Sequence, residues 1–302
     1  MRSKEVRSRL CFLLSACTLL GLSVFPTSSP RAETDHVQTA RFGVIGPDRQ
    51  NQTAIGIWPR ARTPGHRLPI VIAFHGMTEA KSGVSHGYLA WPELYGLLDA
   101  YEALLRPPVS KAAFGGLVRD AELAALNAEL SAKAMQGVFV VGVYTPDLLI
   151  DKGREEKVAA YADWVASVLI PRVRDVFPVT NPDGRTVGVD GVSLGGMVAL
   201  EVGVRHPELF SAIGAMQPAI RGGEASMADR LARAATEHPI QIRLLSSDQD
   251  PLLPVTRTLS SQLRKRQVPH SLLVTPGGHD YAFNRGPGAV ELLRFHDRAL
   301  HP

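Results

Sequence analysis

The chain has 302 residues, of which 45% are hydrophobic and 21% charged, a composition typical of one large globular domain. Its 33 basic residues outnumber its 29 acidic ones, but five basic residues and one acidic residue lie in the first 32 positions, and the remainder carries 28 of each. Charge therefore gives no reason to expect a nucleic-acid partner or binding to an anionic membrane surface.

The first 32 residues have the three regions of a secretory signal peptide. A basic start is followed by an apolar stretch, Leu10 to Phe25, and then by small and polar residues up to Ala32. The apolar stretch is shorter than the ~20 residues that cross a bilayer. We therefore expect cleavage near Ala32, a secreted or periplasmic chain, and no stable membrane span. The alternative is a lipoprotein anchored through Cys17, because Leu14-Ser15-Ala16-Cys17 resembles a lipobox.

Both cysteines of the chain, Cys11 and Cys17, lie in this leader. A mature chain that starts near Glu33 then contains no cysteine, which excludes disulfides and cysteine metal sites from it.

Residues 33–302 are predicted to form a single α/β domain. Val37 to Ile45 and Thr53 to Trp58 flank a turn-rich segment and predict an N-terminal hairpin. Beyond them, short apolar runs alternate with helical patterns. The further predicted strands are 69–74, 138–144, 186–190, 212–216, 240–245 and 271–274, and the predicted helices are 155–177, 194–205, 225–236, 255–266 and 289–300. This alternation predicts a mostly parallel central sheet with helices on both faces.

The interval after the third strand is longer than an ordinary crossover between parallel strands. Residues 78–136 therefore predict a helical insertion, with an Ala/Leu/Glu-rich helix at 117–135. Such an insertion can overhang a site as a lid, or it can be purely structural. The sequence leaves both interpretations open.

The most informative motif is Gly191-Val192-Ser193-Leu194-Gly195, which stands between a predicted strand and a predicted helix. A G-x-S-x-G pentapeptide in this position is typical of a nucleophile elbow, a sharp turn that exposes a serine hydroxyl. The flanking glycines are needed where a β-carbon would clash or where φ is positive. Ser193 is therefore a candidate nucleophile.

A serine nucleophile needs a base and a third group that orients the base. Two later strands are followed by such groups: Asp248 and Asp250 after strand 240–245, and His279 after strand 271–274. The order Ser, Asp, His matches the order of triad residues in one class of hydrolase sheets. We assign Asp250 as the acid, because Pro251 fixes the chain there, and keep Asp248 as the alternative that braces the turn.

Acyl transfer also needs amide donors for the oxyanion. Leu194, directly after the candidate nucleophile, supplies one, and Met77, in the turn after the third strand, is expected to supply the other. His75 is interpreted as a brace of that turn. The sequence contains no H-E-x-x-H, P-loop or complete G-x-G-x-x-G motif, so we expect neither a metal nor an organic cofactor.

From Leu68 to Leu300 the chain resembles the α/β-hydrolase superfamily, and within it the putative-esterase branch that includes esterase D, enterochelin esterases, feruloyl esterases and bacterial mycolyltransferases. The motifs that carry the resemblance lie at 164–171, 191–196, 205–210 and 277–280. The resemblance implies Ser193, Asp250 and His279 as the triad, with Met77 and Leu194 as oxyanion donors. The long interval 78–136 departs from the usual pattern and leaves the acyl and alcohol parts of the substrate open.

The expected function is that of an exported serine esterase that acts on a small-molecule ester. The alternatives are an acyltransferase, in which a second alcohol replaces water, and a non-catalytic binding protein on the same scaffold. Five aromatic residues of the insertion are candidates for a substrate pocket, and Trp91 and Phe114 are the two that we assign to it; the alternative is that they are core. The aromatic residues are Tyr88, Trp91, Tyr95, Tyr101 and Phe114.

Overall fold

The computed structural model describes residues 36–61, 65–149, 153–182, 184, 186–220 and 222–301. The predicted signal peptide, with Cys17 and the expected cleavage position, lies outside these residues. In the part of the chain that is described, no helix is long and apolar enough to cross a membrane.

Eight strands of the described residues form one sheet. They are β1 (Val37–Ile45), β2 (Asn51–Pro59), β3 (Ile70–Phe74), β4 (Phe139–Val143), β5 (Val187–Gly191), β6 (Phe210–Met216), β7 (Gln241–Ser247) and β8 (Ser271–Thr275). Their spatial order is β1-β2-β4-β3-β5-β6-β7-β8. The predicted hairpin of β1 and β2 is antiparallel, as is the pairing of β2 with β4, whereas every pairing among β3 to β8 is parallel. The predicted, mostly parallel sheet is confirmed.

The helices connect these strands in the expected places. They are α1 (Met77–Ser82), α2 (Val84–Gly87), α3 (Leu97–Leu105), α4 (Asp120–Ala132), α5 (Arg154–Trp164), α6 (Ile170–Val176), α7 (Leu194–Arg205), α8 (Glu224–Glu237), α9 (Leu253–Lys265), α10 (Tyr281–Phe283) and α11 (Ala289–Leu300). The single helix predicted at 155–177 is divided by a π-helical turn, Val165–Leu169. The physical reason is Pro171, which has no N–H to donate to the carbonyl four residues before it.

The central strands of the sheet are buried on both faces, and each face has its own hydrophobic core. In β3, Ile70, Ile72 and Phe74 face one core, whereas Val71 and Ala73 face the other. Helices α5 to α9 complete the first core, and α3, α4 and α11 complete the second. The apolar runs of the parallel strands require cover on both sides, and the prediction of helices on both faces is confirmed.

The insertion predicted at 78–136 contains α1 to α4. Helix α3 buries Leu97, Tyr101 and Leu104 in the second core, and α4 adds Leu126 and Leu130 to it. The structure therefore places α3 and α4 in one of the two helical layers.

Candidate active site

Ser193 occupies the turn between β5 and α7, with φ 59° and ψ −114°. A positive φ is strained for a residue with a β-carbon. The turn is tight on both sides of the serine, because a β-carbon on Gly195 would lie 2.3 Å from the Phe74 carbonyl oxygen and one on Gly191 would lie 2.4 Å from the Gly195 backbone. Glycine is thus required at both positions, and the strand, sharp turn and helix expected of a nucleophile elbow are all present.

Hydrogen bonds connect Ser193, His279 and Asp250 in a row. His279 Nε2 lies 3.0 Å from Ser193 Oγ, and His279 Nδ1 lies 2.9 Å from Asp250 Oδ1. These residues come from three different strand ends, since Ser193 follows β5, Asp250 follows β7 and His279 follows β8. Parallel strands bring their carboxyl ends to one edge of the sheet, and that edge holds the candidate site.

The carboxylate of Asp250 is fully buried and completely hydrogen bonded. Besides His279, it accepts the Ser246 hydroxyl at 2.6 Å and the Leu252 amide at 2.9 Å. Burial alone would raise the pKa of Asp250, but the hydrogen bonds from His279, Ser246 and Leu252 outweigh it and lower the pKa. Asp250 therefore stays ionised beside the imidazole.

Asp248, the alternative acid, makes other contacts. Its Oδ1 accepts the Gly277 amide at 3.2 Å, and its own amide donates to the Thr275 carbonyl at 2.9 Å. These bonds connect the loop after β7 with the loop that carries His279. Asp248 thus braces the turn, which is the role that the sequence analysis left for it.

Met77 and Leu194 are the first residues of α1 and α7. Amides at the start of a helix have no acceptor within the helix, so both are suited to bind a negatively charged oxygen. Met77 and Ser193 line the same cavity. The neighbouring amide of Gly76 is not free for this task, since it donates to Tyr95 Oη at 3.0 Å.

His75 is completely buried behind this turn. Its Nε2 accepts the Thr145 amide at 2.9 Å, so its Nδ1 carries the proton and donates to the Gly76 carbonyl at 2.9 Å. Burial lowers the pKa of His75 to about 4. A neutral imidazole thus ties the end of β3 to the segment after β4, and the interpretation of His75 as a brace fits these contacts.

A cavity of about 300 Å³ opens in front of Ser193 and His279. Its walls include a buried glutamate and two tyrosines. The lining residues are Gly76, Met77, Thr78, Glu79, Tyr95, Val192, Ser193, Gln217, His279, Asp280, Tyr281 and Asn284.

The assignment of Trp91 and Phe114 to the substrate pocket is corrected by the structure, because neither residue lines this cavity. Trp91 is 1% exposed and Phe114 is 3% exposed, and both belong to the second hydrophobic core. Trp91 packs edge-on against Tyr95, with the ring centroids 5.1 Å apart. Among the five aromatic residues of the insertion, Tyr95 is the one that reaches the cavity.

Gln217 is a site residue that the sequence analysis missed. It is buried at the end of β6, and its Nε2 donates to Ser247 Oγ and to the Gly278 carbonyl, each at 2.8 Å. The second bond fixes the residue next to His279. A signal for it was present, because β6 lies between the strands that carry the candidate nucleophile and the candidate acid, and its carboxyl end opens on the same edge.

Among the described residues, no group of three or more His, Cys, Asp or Glu side chains could hold a metal ion.

Residues 150–285 match the family model described as Putative esterase. No curated protein matches the chain. Among solved structures, a ferulic acid esterase superposes with a TM-score of 0.63 at 16% identity, over 87% of this chain and 99% of that one. The S-formylglutathione hydrolase FrmB from Staphylococcus aureus gives 0.60 at 13% identity, over 87% and 97%. A ferulic acid esterase from Anaeromyces mucronatus gives 0.57 at 14% identity, over 90% and 94%. At sequence identities this low, the superpositions show that the chain and these solved structures share a fold.

Proposed function

We propose that this chain, a member of the α/β-hydrolase superfamily whose residues 150–285 match the putative-esterase family, hydrolyses carboxylic esters through an acyl-enzyme on Ser193. The observation that carries the proposal is the row of hydrogen bonds from Ser193 through His279 to Asp250, at 3.0 and 2.9 Å, beside an open cavity. A volume of about 300 Å³ accommodates a small ester.

The carboxylate of Asp250 only accepts hydrogen bonds, so His279 carries its proton on Nδ1. Its Nε2 then offers a lone pair to the Ser193 hydroxyl. As Oγ attacks the ester carbonyl, Nε2 takes the proton, and the buried negative charge of Asp250 stabilises the imidazolium that forms.

The attack makes a tetrahedral intermediate with a negatively charged oxygen. The amides of Met77 and Leu194 are the donors that we assign to it. When the intermediate collapses, His279 returns the proton to the leaving alcohol, and Ser193 retains the acyl group. A water molecule, deprotonated by the same imidazole, then attacks the acyl-enzyme and releases the carboxylic acid.

We further propose that the enzyme is exported. The support is the leader sequence, a basic start followed by an apolar stretch and a small polar segment within residues 1–32. The mass of the protein recovered from the producing cell tests this part: an unlipidated N-terminus near Glu33 supports it, and an acylated Cys17 replaces it with a lipoprotein.

The catalytic proposal is tested with a fluorophosphonate probe and a soluble p-nitrophenyl ester. The wild-type protein is expected to be labelled at Ser193 and to turn over the ester, and Ser193→Ala is expected to lose labelling and roughly 10⁴ or more in kcat with an unchanged melting temperature. Ser167→Ala, a change of an exposed serine on the far side of the first core, is the matched control. Near-normal turnover by folded Ser193→Ala would refute the proposal, and a wild-type protein that is not labelled would favour a binding protein.

A further inference from the structure

Glu79 is a buried carboxylate in the wall of the candidate active site. It is 3% exposed and lies on α1, two residues after Met77. Both of its oxygens accept a tyrosine hydroxyl: Oε2 accepts Tyr95, and Oε1 accepts Tyr281 at 2.6 Å. The proposed acyl-transfer steps assign no role to this group.

Tyr95 connects Glu79 to the turn that carries Met77. Its oxygen accepts the Gly76 amide at 3.0 Å. An amide can only donate, so the tyrosine proton must point to Glu79. Burial, together with the nearby charge of Glu79, raises the pKa of Tyr95 well above its usual value, and the hydroxyl keeps this proton. The direction of both hydrogen bonds is therefore fixed.

Tyr281 connects the same carboxylate to the loop of the candidate base, since it lies two residues after His279. Its hydrogen bond to Glu79, with a smaller contribution from burial, raises the pKa of Tyr281 to about 12. The hydroxyl is thus a donor throughout the neutral range. Its ring also lies near Tyr95, with the two centroids 6.0 Å apart.

The two loops that Glu79 connects are far apart in the sheet. Met77 follows β3 and His279 follows β8, and β5, β6 and β7 lie between these strands. Ladder hydrogen bonds between neighbouring strands do not join the ends of β3 and β8 directly. The Tyr95 hydroxyl also lies close to Gly76, because a β-carbon on Gly76 would lie 3.2 Å from Tyr95 Oη.

We propose that Glu79 is a positioning residue, which acts through Tyr95 and Tyr281 to hold the Met77 amide and the His279 imidazole at the separation that acyl transfer requires. The inference rests on the proposed function. An oxyanion donor acts only when it is placed within hydrogen-bond distance of the oxygen in the transition state, and a base only when it reaches the nucleophile. Because Glu79 accepts the hydroxyls of both Tyr95 and Tyr281, this one carboxylate can position the oxyanion donor and the base together.

A buried tyrosine can also matter for stability alone, and Tyr101 provides a matched control. Its hydroxyl is buried, accepts the Val138 amide at 2.7 Å and donates to the Val138 carbonyl at 2.5 Å. Each of the two hydroxyls accepts one backbone amide and donates to one oxygen, a carboxylate oxygen for Tyr95 and a backbone carbonyl for Tyr101. Val138 precedes β4, so the Tyr101 hydroxyl lies at the amino end of the strands, away from the candidate site.

The test compares Tyr95→Phe, Tyr281→Phe, Glu79→Gln and Tyr101→Phe in the full-length protein. The measurements are kcat and KM with p-nitrophenyl acetate, the rate of fluorophosphonate labelling, and the melting temperature. Complete removal of one oxyanion donor costs about 10²–10³ in kcat. We expect a displaced donor in Tyr95→Phe to cost about tenfold in kcat and in labelling rate, with KM within about twofold.

Glu79→Gln leaves one of the two tyrosines without an acceptor, and we expect it to lose about as much kcat as Tyr95→Phe. Tyr281→Phe, at a residue that is 37% exposed, is expected to fold normally and to lose roughly threefold to fivefold in kcat. Tyr101→Phe is expected to lower the melting temperature as Tyr95→Phe does but to keep kcat within about twofold.

The inference would be overturned if Tyr95→Phe and Tyr101→Phe had equal melting temperatures and both kept the wild-type kcat. If Tyr95→Phe does not fold, Tyr281→Phe decides, and wild-type kcat and labelling rate in that variant also overturn it. A wild-type protein that is labelled at Ser193 while all the variants match it contradicts this inference alone. A wild-type protein that is neither labelled nor active on esters contradicts the proposed function and this inference together.

Discussion

Replacing Asp250 by asparagine removes one negative charge from the candidate triad while its hydrogen bonds can survive. Oδ1 accepts both His279 Nδ1 and the Leu252 amide, each at 2.9 Å. The Leu252 amide can only donate, so the asparagine oxygen takes that position and its NH₂ group faces Ser246. The Ser246 hydroxyl can turn to accept. The contact with Leu252 therefore keeps the imidazole of Asp250→Asn in its productive tautomer.

What the variant loses is the attraction between the carboxylate and the imidazolium in the transition state. Two unit charges about 4 Å apart attract by about 4 kcal/mol at an effective dielectric constant of about 20, which corresponds to about 10³ in rate. The imidazole is 29% exposed, so solvent screens part of this attraction. We expect Asp250→Asn to lower kcat by roughly 10²–10³, less than the ~10⁴ that a wrong tautomer costs in a serine protease triad.

Asp248→Asn is the matched control, since it makes the same chemical change two residues away. Its amide oxygen can still accept the Gly277 amide, and we expect kcat within about threefold of the wild type. The assay is kcat with a p-nitrophenyl ester, with the melting temperature as a check on folding. Equal losses in the two variants, or a larger loss in Asp248→Asn, would refute the assignment of Asp250. A loss of about 10⁴ or more in Asp250→Asn would refute the argument from Leu252.

Two further predictions concern the frame of the site. In the folded protein His75 stays neutral down to about pH 4, whereas in the unfolded chain it titrates near ~6.5. The unfolded state therefore binds more protons between these pH values, and the free energy of unfolding falls by roughly 3 kcal/mol as the pH drops through this window. His75→Gln can still accept the Thr145 amide, so its free energy of unfolding, measured by urea denaturation, should depend less on pH. The same pH dependence in the variant and the wild type would contradict this prediction. Gly195→Ala, whose β-carbon would lie 2.3 Å from the Phe74 carbonyl, should lower stability by about 1–3 kcal/mol and abolish ester turnover. Gly43→Ala, at a strand position with no atom within 4 Å of the added carbon, should change the free energy of unfolding by no more than about 0.5 kcal/mol and leave ester turnover at the wild-type level. Equal effects of the two alanines would refute the packing argument.

The fold and the residues at strand ends could be predicted from sequence because the signals are local. Ser193 stands in a pentapeptide whose glycines are dictated by the turn, and the helix from Leu194 to Arg205 has the predicted bounds. Asp250 and His279 each follow an apolar run. Parallel strands bring such residues to one edge of the sheet, so their order along the chain was enough to predict that they meet. The α/β-hydrolase fold predicted on this basis is confirmed by the solved structures that superpose on the chain.

The insertion could not be predicted in the same detail, because its packing depends on distant parts of the chain. Trp91 and Tyr95 lie one helical turn apart, and no local pattern tells which ring enters the core and which faces the cavity. Tyr95 is oriented by Glu79 and by Gly76, and Glu79 is in turn held by Tyr281, some 200 positions further on. Hydrogen bonds of this span leave no periodicity in a single sequence.

The positive φ of Ser193 has a cost for the stability of the fold. A residue with a side chain at φ 59° and ψ −114° costs the native state about 1–3 kcal/mol, and glycine adopts this conformation without that cost. Glycine at this position would therefore relieve the strain, but it would also remove the hydroxyl. Keeping the hydroxyl that we assign as nucleophile therefore lowers the stability of this turn, and the packing of the two cores on either side of the sheet has to offset that loss.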